Sequence, residues 1–388
     1  MRRKLSLLLA MSCLFLTGVP AGMARAEAVP HLTLTAINVS KADCLLLRSG
    51  SSCYMIDTGT AESWGQVSAA LRQYGITRLD GVIITHTHKD HAGGAMALAQ
   101  SGLEIGGWYT SAYYADVKLK KHPAVLAAAV RDADLTWLRG GDTLPLDGGT
   151  LRVLGPVSES DTENCNSLVL LAETADGSIL LAGDMEFPEE QELMAAGLIA
   201  HADVLKVGNH AEDDATSDAF AKAVSPKVAL ISTDSVAEPD TPAQRVLRAL
   251  KAAGAQLAQT QTAEVAVEVT LVSGEPQVAL VKRKGWPAMA EGVKLTARDS
   301  KADIVRLANT GSAAVDLSGW FIYSERGKET FVFPEGASIA PGAELTVAAQ
   351  DSSVVGDYLW PEKKVWHKSK DDKAILCDAW GRIVDELD

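Results

Sequence analysis

The chain has 388 residues, 36 of them basic and 50 acidic, for a formal net charge of −14. That length exceeds one ordinary domain of roughly 100–200 residues. The charge opposes non-specific binding to polyanions, so nucleic acid could be held only by a local basic patch or through metal ions.

Arg2, Arg3 and Lys4 precede an apolar run over residues 5–19, and Pro20 and Ala24-Arg25-Ala26 follow. This is the pattern of a secretory signal peptide cleaved after Ala26, and it predicts a mature chain that is secreted or held at the cell surface. Lipid attachment at Cys13 is the alternative, disfavoured because the apolar run continues past it. No later stretch reaches the roughly 20 apolar residues of a membrane helix. The later cysteines, Cys44, Cys53, Cys165 and Cys377, are too few for a disulfide scaffold, and none has metal-knuckle spacing. Cys44 and Cys53 could pair across a hairpin after export, but buried thiols are the preferred reading.

Polar and apolar residues alternate over 32–39, the signal of a half-buried strand. Strands over 43–48 and 53–57 face each other across the turn Ser49-Gly50-Ser51-Ser52. A helix fits 62–74 and stops at Gly75. Gly81-Val82-Ile83-Ile84-Thr85 reads as a fully buried strand, running at once into a His-rich loop and an Ala-rich helix from Gly94. Further strands are predicted at 151–154, 168–173, 178–182, 204–207, 228–232, 264–271 and 277–281. Helices are predicted at 189–196, 217–224 and 242–253. Hairpins mixed with strand–helix units imply an α/β domain over 27–284, its sheets sandwiched by helices. Gly285-Trp286-Pro287 opens a linker over 285–292, after which short β-like runs between Gly, Pro and Asp turns predict a small all-β sandwich over 293–388.

The most specific signal is Thr85-His86-Thr87-His88-Lys89-Asp90-His91-Ala92-Gly93-Gly94. A loop at a strand end can turn alternate side chains to one point, so His86 and His88 converge while Asp90 and His91 face a second point nearby. Imidazoles with a carboxylate suit zinc, manganese or iron. A surface loop collecting histidines by chance would account for one of them, not for three with an aspartate at this spacing.

This stretch resembles the HxHxDH signature of the metallo-β-lactamase superfamily, which implies an αββα sandwich and two divalent metal ions, zinc or manganese. Ile56-Asp57-Thr58-Gly59 is similar to the family's first motif, whose Asp supports the metal ligands from behind. Leu180-Leu181-Ala182-Gly183-Asp184 is similar to its bridging aspartate, and Val207-Gly208-Asn209-His210 to its late histidine. The resemblance implies one metal on His86, His88 and Asp184, and another on Asp90, His91, Asp184 and His210. The family's further mid-chain His is absent. His122, before Pro123 in a Lys-rich helical region, reads as a surface residue. Asn164-Cys165-Asn166-Ser167 stands before a strand, with Asn166 a poor ligand given a supporting place. The Asn-x-Asn-Ser-Leu-Val-Leu pattern, residues 39–43 and Leu205-Lys206-Val207-Gly208-Asn209-His210-Ala211 are similar to the hydrolase domain of the competence protein ComEC.

The C-terminal part has its own resemblance. Residues 304–311, Val315-Asp316-Leu317-Ser318-Gly319-Trp320, Phe333-Pro334-Glu335-Gly336, Ile339-Ala340-Pro341-Gly342 and residues 374–381 look like the lamin-tail domain, an immunoglobulin-like sandwich. Its motifs are turns and core positions. Lys363, Lys364, Trp366, His367, Lys368 and Lys370 make a basic cluster with one aromatic. It could hold a phosphate backbone or an anionic surface polymer, with Trp366 as a stacking surface; a solvated edge strand is the plainer reading and the preferred one. His31 and His201 have no partner in sequence and read as structural.

The expected chemistry is hydrolysis by metal-activated water, with Asp90 and Asp184 holding and orienting the nucleophile. Phosphodiester or nucleic-acid substrates are the first expectation. Esters, thioesters or lactams are the second. A surface binding protein with a decayed hydrolase domain is a third, opposed by the intact set from Asp57 to His210.

Overall fold

The computed structural model describes residues 29–388; the expected signal peptide and its cleavage site lie outside the described residues. The two alternating runs predicted at 32–39 and 264–271 meet edge to edge. Val29–Ile37 pairs antiparallel with Ala266–Val272 on one side and Leu45–Gly50 on the other. The hairpin to Ser52–Ile56 turns at Gly50 and Ser51, with Ser49 opposite Ser52. Gly50 has φ 53°, which suits glycine at such a turn. The second strand starts at Leu45, because Asp43 leaves the ladder to reach a buried lysine described below.

Glu275–Val281 and the parallel strands Gly81–Ile84, Trp108–Ser111 and Leu135–Leu138 complete an eight-stranded sheet. A second sheet of seven runs Gln256–Gln259, Val228–Ile231, Val204–Lys206, Gly177–Leu181, Val169–Thr174, Gly149–Gly155 and Thr143–Leu146. Alternation along each strand sorts its side chains. Leu45, Leu47, Leu170 and Leu181 meet between the sheets. Leu46 and Met55 face the helices Trp64–Gln73, Ala95–Gln100 and Pro123–Val130, while Val169 and Leu180 face Phe187–Ala195, Asp218–Val224 and Gln244–Ala252. The result is a helix–sheet–sheet–helix sandwich. Ser217 caps its helix as its residue type favours, its Oγ accepting from Phe220 N at 3.1 Å.

Four strands, Trp108–Ser111, Leu135–Leu138, Thr143–Leu146 and Gln256–Gln259, carry no clear strand pattern in sequence. Each has only four residues and lies at or beside a sheet edge, so pairing with a neighbour decides it.

From Val293 onward the chain is all β. Val293–Asp299, Ile304–Asn309, Glu344–Ala349 and Tyr358–Trp360 form one sheet, and Thr330–Val332, Phe321–Ser324, Ala374–Cys377 and Ile383–Leu387 another. Leu307, Ile322, Phe333, Trp360 and Leu376 fill the space between them. All four described cysteines are buried; Cys53 lies opposite Arg48 in the ladder, not Cys44. Among the described residues no helix is long and apolar enough to cross a membrane.

Candidate metal centre

Strand Gly81–Ile84 is buried along its whole length, and the loop that leaves it is pinned from the first residue. Thr85 donates from N to Asp57 Oδ1 and from Oγ1 to Asp57 Oδ2, both at 2.8 Å. Asp57 itself follows strand Ser52–Ile56 with φ 57°. A Cβ on Gly94 would lie 2.3 Å from the carbonyl oxygen of Thr58, so this loop can dock on the Asp57 turn only with glycine there.

Asp184 follows Gly177–Leu181, and its N–H is held by Ser167 Oγ at 3.2 Å. His210 follows the neighbouring parallel strand Val204–Lys206. It sits in a turn where Asn209, His210 and Ala211 have φ of 42°, 50° and 65°. Left-handed backbone costs roughly 1–3 kcal/mol per such residue and persists only where surroundings over-determine it. Here Ala211 O accepts from Ala243 N, and Asn209 Nδ2 donates to Asp214 Oδ1.

Three imidazoles share one arrangement. His86 Nδ1 meets Thr85 Oγ1 at 3.2 Å, His91 Nδ1 meets Asp57 Oδ2 at 2.7 Å, and His210 Nδ1 meets the Ser232 carbonyl at 3.1 Å. With Nδ1 donating in each case, every Nε2 lone pair is left to face inward. There the Nε2 atoms of His86, His91 and His210 lie 3.7, 3.0 and 3.6 Å from oxygens of Asp184. His210 Nε2 is also 3.4 Å from Asp90 Oδ2. The ligand atoms of Asp90, His91, Asp184 and His210 fall within 4.8 Å of one another, as do those of His86, His88 and Asp184. His88 and Asp90 are partly exposed; the other five residues of this cluster, Asp57 included, are buried. His88 Nε2 faces Asp116 Oδ2 at 2.9 Å.

The electrostatics fit cations. Burial pushes His91 down, but Asp184 and Asp57 outweigh it and hold that imidazole well above its ordinary range. Burial likewise opposes ionisation of Asp184, yet His91 and His210 hold it well below the carboxylate range. Burial and the neighbouring His91 leave His86 well below its ordinary value, hence neutral. His86 Nε2 and Asp184 Oδ1 are buried without a hydrogen-bond partner, an expensive state unless something else binds them. Divalent ions would satisfy both atoms and displace protons from His91 and His210.

Two residues of the centre carried no signal when read singly. Lys206 is wholly buried, its Nζ donating to Asp43 Oδ2 at 2.6 Å and to the Val207 carbonyl at 3.0 Å. Asp43 Oδ1 lies 4.0 Å from His210 Nδ1. Burial disfavours the Asp43 carboxylate, but Lys206 and the imidazoles overcome it and keep its pKa low. Only the ComEC-like pattern covered both positions. Glu163 is the third omission: it is buried, and its Oε1 accepts from Thr87 N at 2.8 Å, inside the His loop.

Three expectations need correction. Asn166 does not support the metal ligands: its Oδ1 accepts from Ser160 N and its Nδ2 donates to Ser160 O, both at 2.9 Å, so it fastens a loop. The contact to Asp184 comes from Ser167. His122 is not on the surface; it is 1% exposed, between the rings of Tyr114 and Trp137. Trp366 is 3% exposed and packs on Trp360, so it offers no stacking surface. Lys363, Lys364, Lys368 and Lys370 are exposed around it. His31 and His201 lie outside the centre, beside Asp176 and the Val224 carbonyl.

The sequence profile of the metallo-beta-lactamase superfamily matches residues 37–235, and that of the Lamin Tail Domain matches residues 289–388. The chain is 33% identical over 178 residues to ComE operon protein 3 of Bacillus subtilis, covering 46% of this chain and 23% of that protein. It is 26% identical over 241 residues to Competence protein ComA of Neisseria gonorrhoeae, covering 61% and 32%. The chain thus spans no more than about a third of these relatives. Solved structures that align with the chain include the metallo-beta-lactamase fold protein YhfI from Bacillus subtilis, at 11% identity and TM-score 0.37, over 58% of this chain and 95% of that one. A diphosphatase from the PhnP family aligns at 14% identity and TM-score 0.36, over 62% and 98%.

Proposed function

Because the chain belongs to the metallo-β-lactamase superfamily, with ComEC-like relatives and a lamin tail domain, we propose that it is an exported metal-dependent phosphodiesterase acting on nucleic acid or a related polymer. The observation that carries the reading is the set of three buried imidazoles, each tied at Nδ1 and aimed through Nε2 at the shared Asp184.

His86, His88 and Asp184 would hold one divalent ion, and Asp90, His91, Asp184 and His210 the other. When bound, such ions supply Lewis acidity and lower the pKa of water toward about 7, and a pair suits in-line displacement at phosphorus. The chain's own residues do the rest. Asp57 fixes the His91 tautomer, the Ser232 carbonyl fixes that of His210, and Asp90 and Asp184 orient the attacking water. The half-open side at His88 and Asp90 is where a substrate phosphate enters. With two imidazoles and one shared carboxylate, the first pocket suits a substrate that brings an anionic oxygen of its own. A neutral lactam carbonyl donates more weakly.

The test compares kcat/KM for bis-p-nitrophenyl phosphate, nitrocefin and a thioester on one preparation of the mature chain, loaded with Mn²⁺ or Zn²⁺ in turn. Phosphodiester cleavage should be fastest, with Mn²⁺ at least matching Zn²⁺, and His86→Ala/His88→Ala should lose on the order of 10²-fold or more. Faster lactam turnover with zinc would overturn the assignment. Export is part of the same proposal, and mass spectrometry of the protein from its natural host should find a chain beginning at Glu27.

A further inference from the structure

The loop that leaves Trp108–Ser111 reaches the metal centre at Asp116. Asp116 touches His88, and Glu163 Oε2 accepts from the N–H groups of Ala115 and Asp116. Glu163 Oε1 accepts from both N and Oγ1 of Thr87. This loop and the His loop are therefore one fastened unit. Immediately beyond Asp116 comes the tight turn Leu119–Lys121, and Lys118, Lys120 and Lys121 are all exposed. None of the three has a carboxylate within 4.0 Å among the described residues, whereas Lys41, Lys206, Lys227, Lys328 and Lys373 all do. In a chain of net charge −14, three ammonium groups without an ion pair, two to five residues along the chain from the Asp116 that touches the partly exposed His88, make a local attraction for anions.

The substrate's shape follows from burial. His86, His91, Asp184 and His210 are at most 3% exposed, so the reacting phosphate must descend to reach them. A flexible single strand can bring a phosphate down to these side chains more readily than a rigid duplex. We propose that Lys118, Lys120 and Lys121 hold the backbone of a single-stranded polynucleotide next to the phosphate being cleaved. This rests on the phosphodiesterase reading above and adds where the polymer lies. A membrane surface is the competing partner, since Leu119, Leu126 and Val130 are 51%, 41% and 40% exposed. Three half-covered side chains on an eight-residue helix and its preceding turn are a poor anchor for a bilayer. The lysines at 363–370 are the competing polyanion site, but with Trp366 buried they lack a stacking platform.

The test uses the metal-loaded mature protein and two variants: Lys118→Gln/Lys120→Gln/Lys121→Gln, and Lys363→Gln/Lys364→Gln/Lys368→Gln/Lys370→Gln. Rates are measured on a fluorescein-labelled single-stranded oligonucleotide of about 20 nucleotides and on bis-p-nitrophenyl phosphate, across a salt series, beside sedimentation with anionic phosphatidylserine vesicles. Single-strand contacts each contribute about 0.7 to the salt slope. The first variant should therefore lose about 2 from that slope, and its kcat/KM should fall roughly tenfold further for the oligonucleotide than for the small substrate. The second variant should behave as wild type. The inference is overturned by equal losses on both substrates, by an unimpaired first variant, by the effect appearing in the second variant, or by lysine-dependent vesicle binding without the oligonucleotide effect. If wild type cleaves no phosphodiester at all, it is the function reading that fails.

Discussion

His122 shows how a single side chain can mislead and what it then does. Its neighbours Lys120, Lys121 and Pro123 gave it a surface context, yet it is buried, with neither ring nitrogen hydrogen-bonded. Burial pushes its pKa down to about 4, against a small upward pull from Glu163. A folded-state pKa below the unfolded value of about 6.5 means that stability is fully present above pH 6.5 and is lost as pH falls toward 4. The Tm of the native chain should therefore drop between pH 6.5 and 4, and His122→Leu should flatten that part of the curve. An equal slope in the variant would show that other groups dominate. Lys206 is the opposite case, a wholly buried amine fastened to the buried Asp43 carboxylate at 2.6 Å. Removing one partner of such a pair typically costs 3–5 kcal/mol.

At the scale of elements, the centre is an assembly of strand ends. Asp57, His86, Asp184 and His210 each follow a strand within a few residues, so sheet register sets their spacing and the loops need only hold directions. Glu163 is the fastener between the loops that leave the neighbouring strands Gly81–Ile84 and Trp108–Ser111. As a carboxylate it serves four donors: Thr87 N, Thr87 Oγ1, Ala115 N and Asp116 N. Glu163→Gln keeps the size but turns one acceptor into an NH₂ that meets N–H groups head on. Metal affinity should fall about 10–100-fold, the usual effect of losing an orienting partner. Calorimetric titration with Mn²⁺ or Zn²⁺ measures it, and unchanged affinity would show that the His loop holds its shape unaided.

Over the whole molecule, the two parts share a core. Phe321, Tyr323, Val332 and Cys377 of the C-terminal sandwich pack in one cluster with Trp64, Leu71, Ala97 and Leu98 of the hydrolase helices. Ser68 Oγ donates to the Ala379 carbonyl at 2.8 Å, and Gln100 exchanges hydrogen bonds with Thr330 O and Val332 N. A Cβ on Gly65 would stand 2.9 Å from the Cα of Gly381, so the backbones themselves touch. Interfaces that are apolar and hydrogen-bonded couple their domains. A chain ending at residue 288 should thus bind a hydrophobic dye and melt several degrees below the full chain, and the full chain should unfold in one transition by calorimetry. Two separate transitions, the first unchanged by truncation, would falsify the coupling.

The sequence by itself pointed to the sandwich of sheets and helices, to the change to all-β structure near residue 290, and to the His86–His91 cluster with Asp184 and His210 whose ligand atoms the fold gathers. Those features are local: alternation marks a strand, and ligands crowded into residues 86–91 leave a motif that no other constraint produces. Tertiary structure alone decided the rest. Asp43, Lys206 and Glu163 act on partners many residues away, and each is ordinary in its own neighbourhood. The short strands Trp108–Ser111 and Leu135–Leu138 exist because a neighbour offers its edge. Asn166 and Ser167 exchange roles because the turn of one residue, not its type, sets which side chain meets Asp184. Trp366 and His122 went inward because nearby ring faces bury more apolar area than charged neighbours in sequence can expose. Local chemistry is written in the order of residues, while burial and pairing are settled only when distant segments meet.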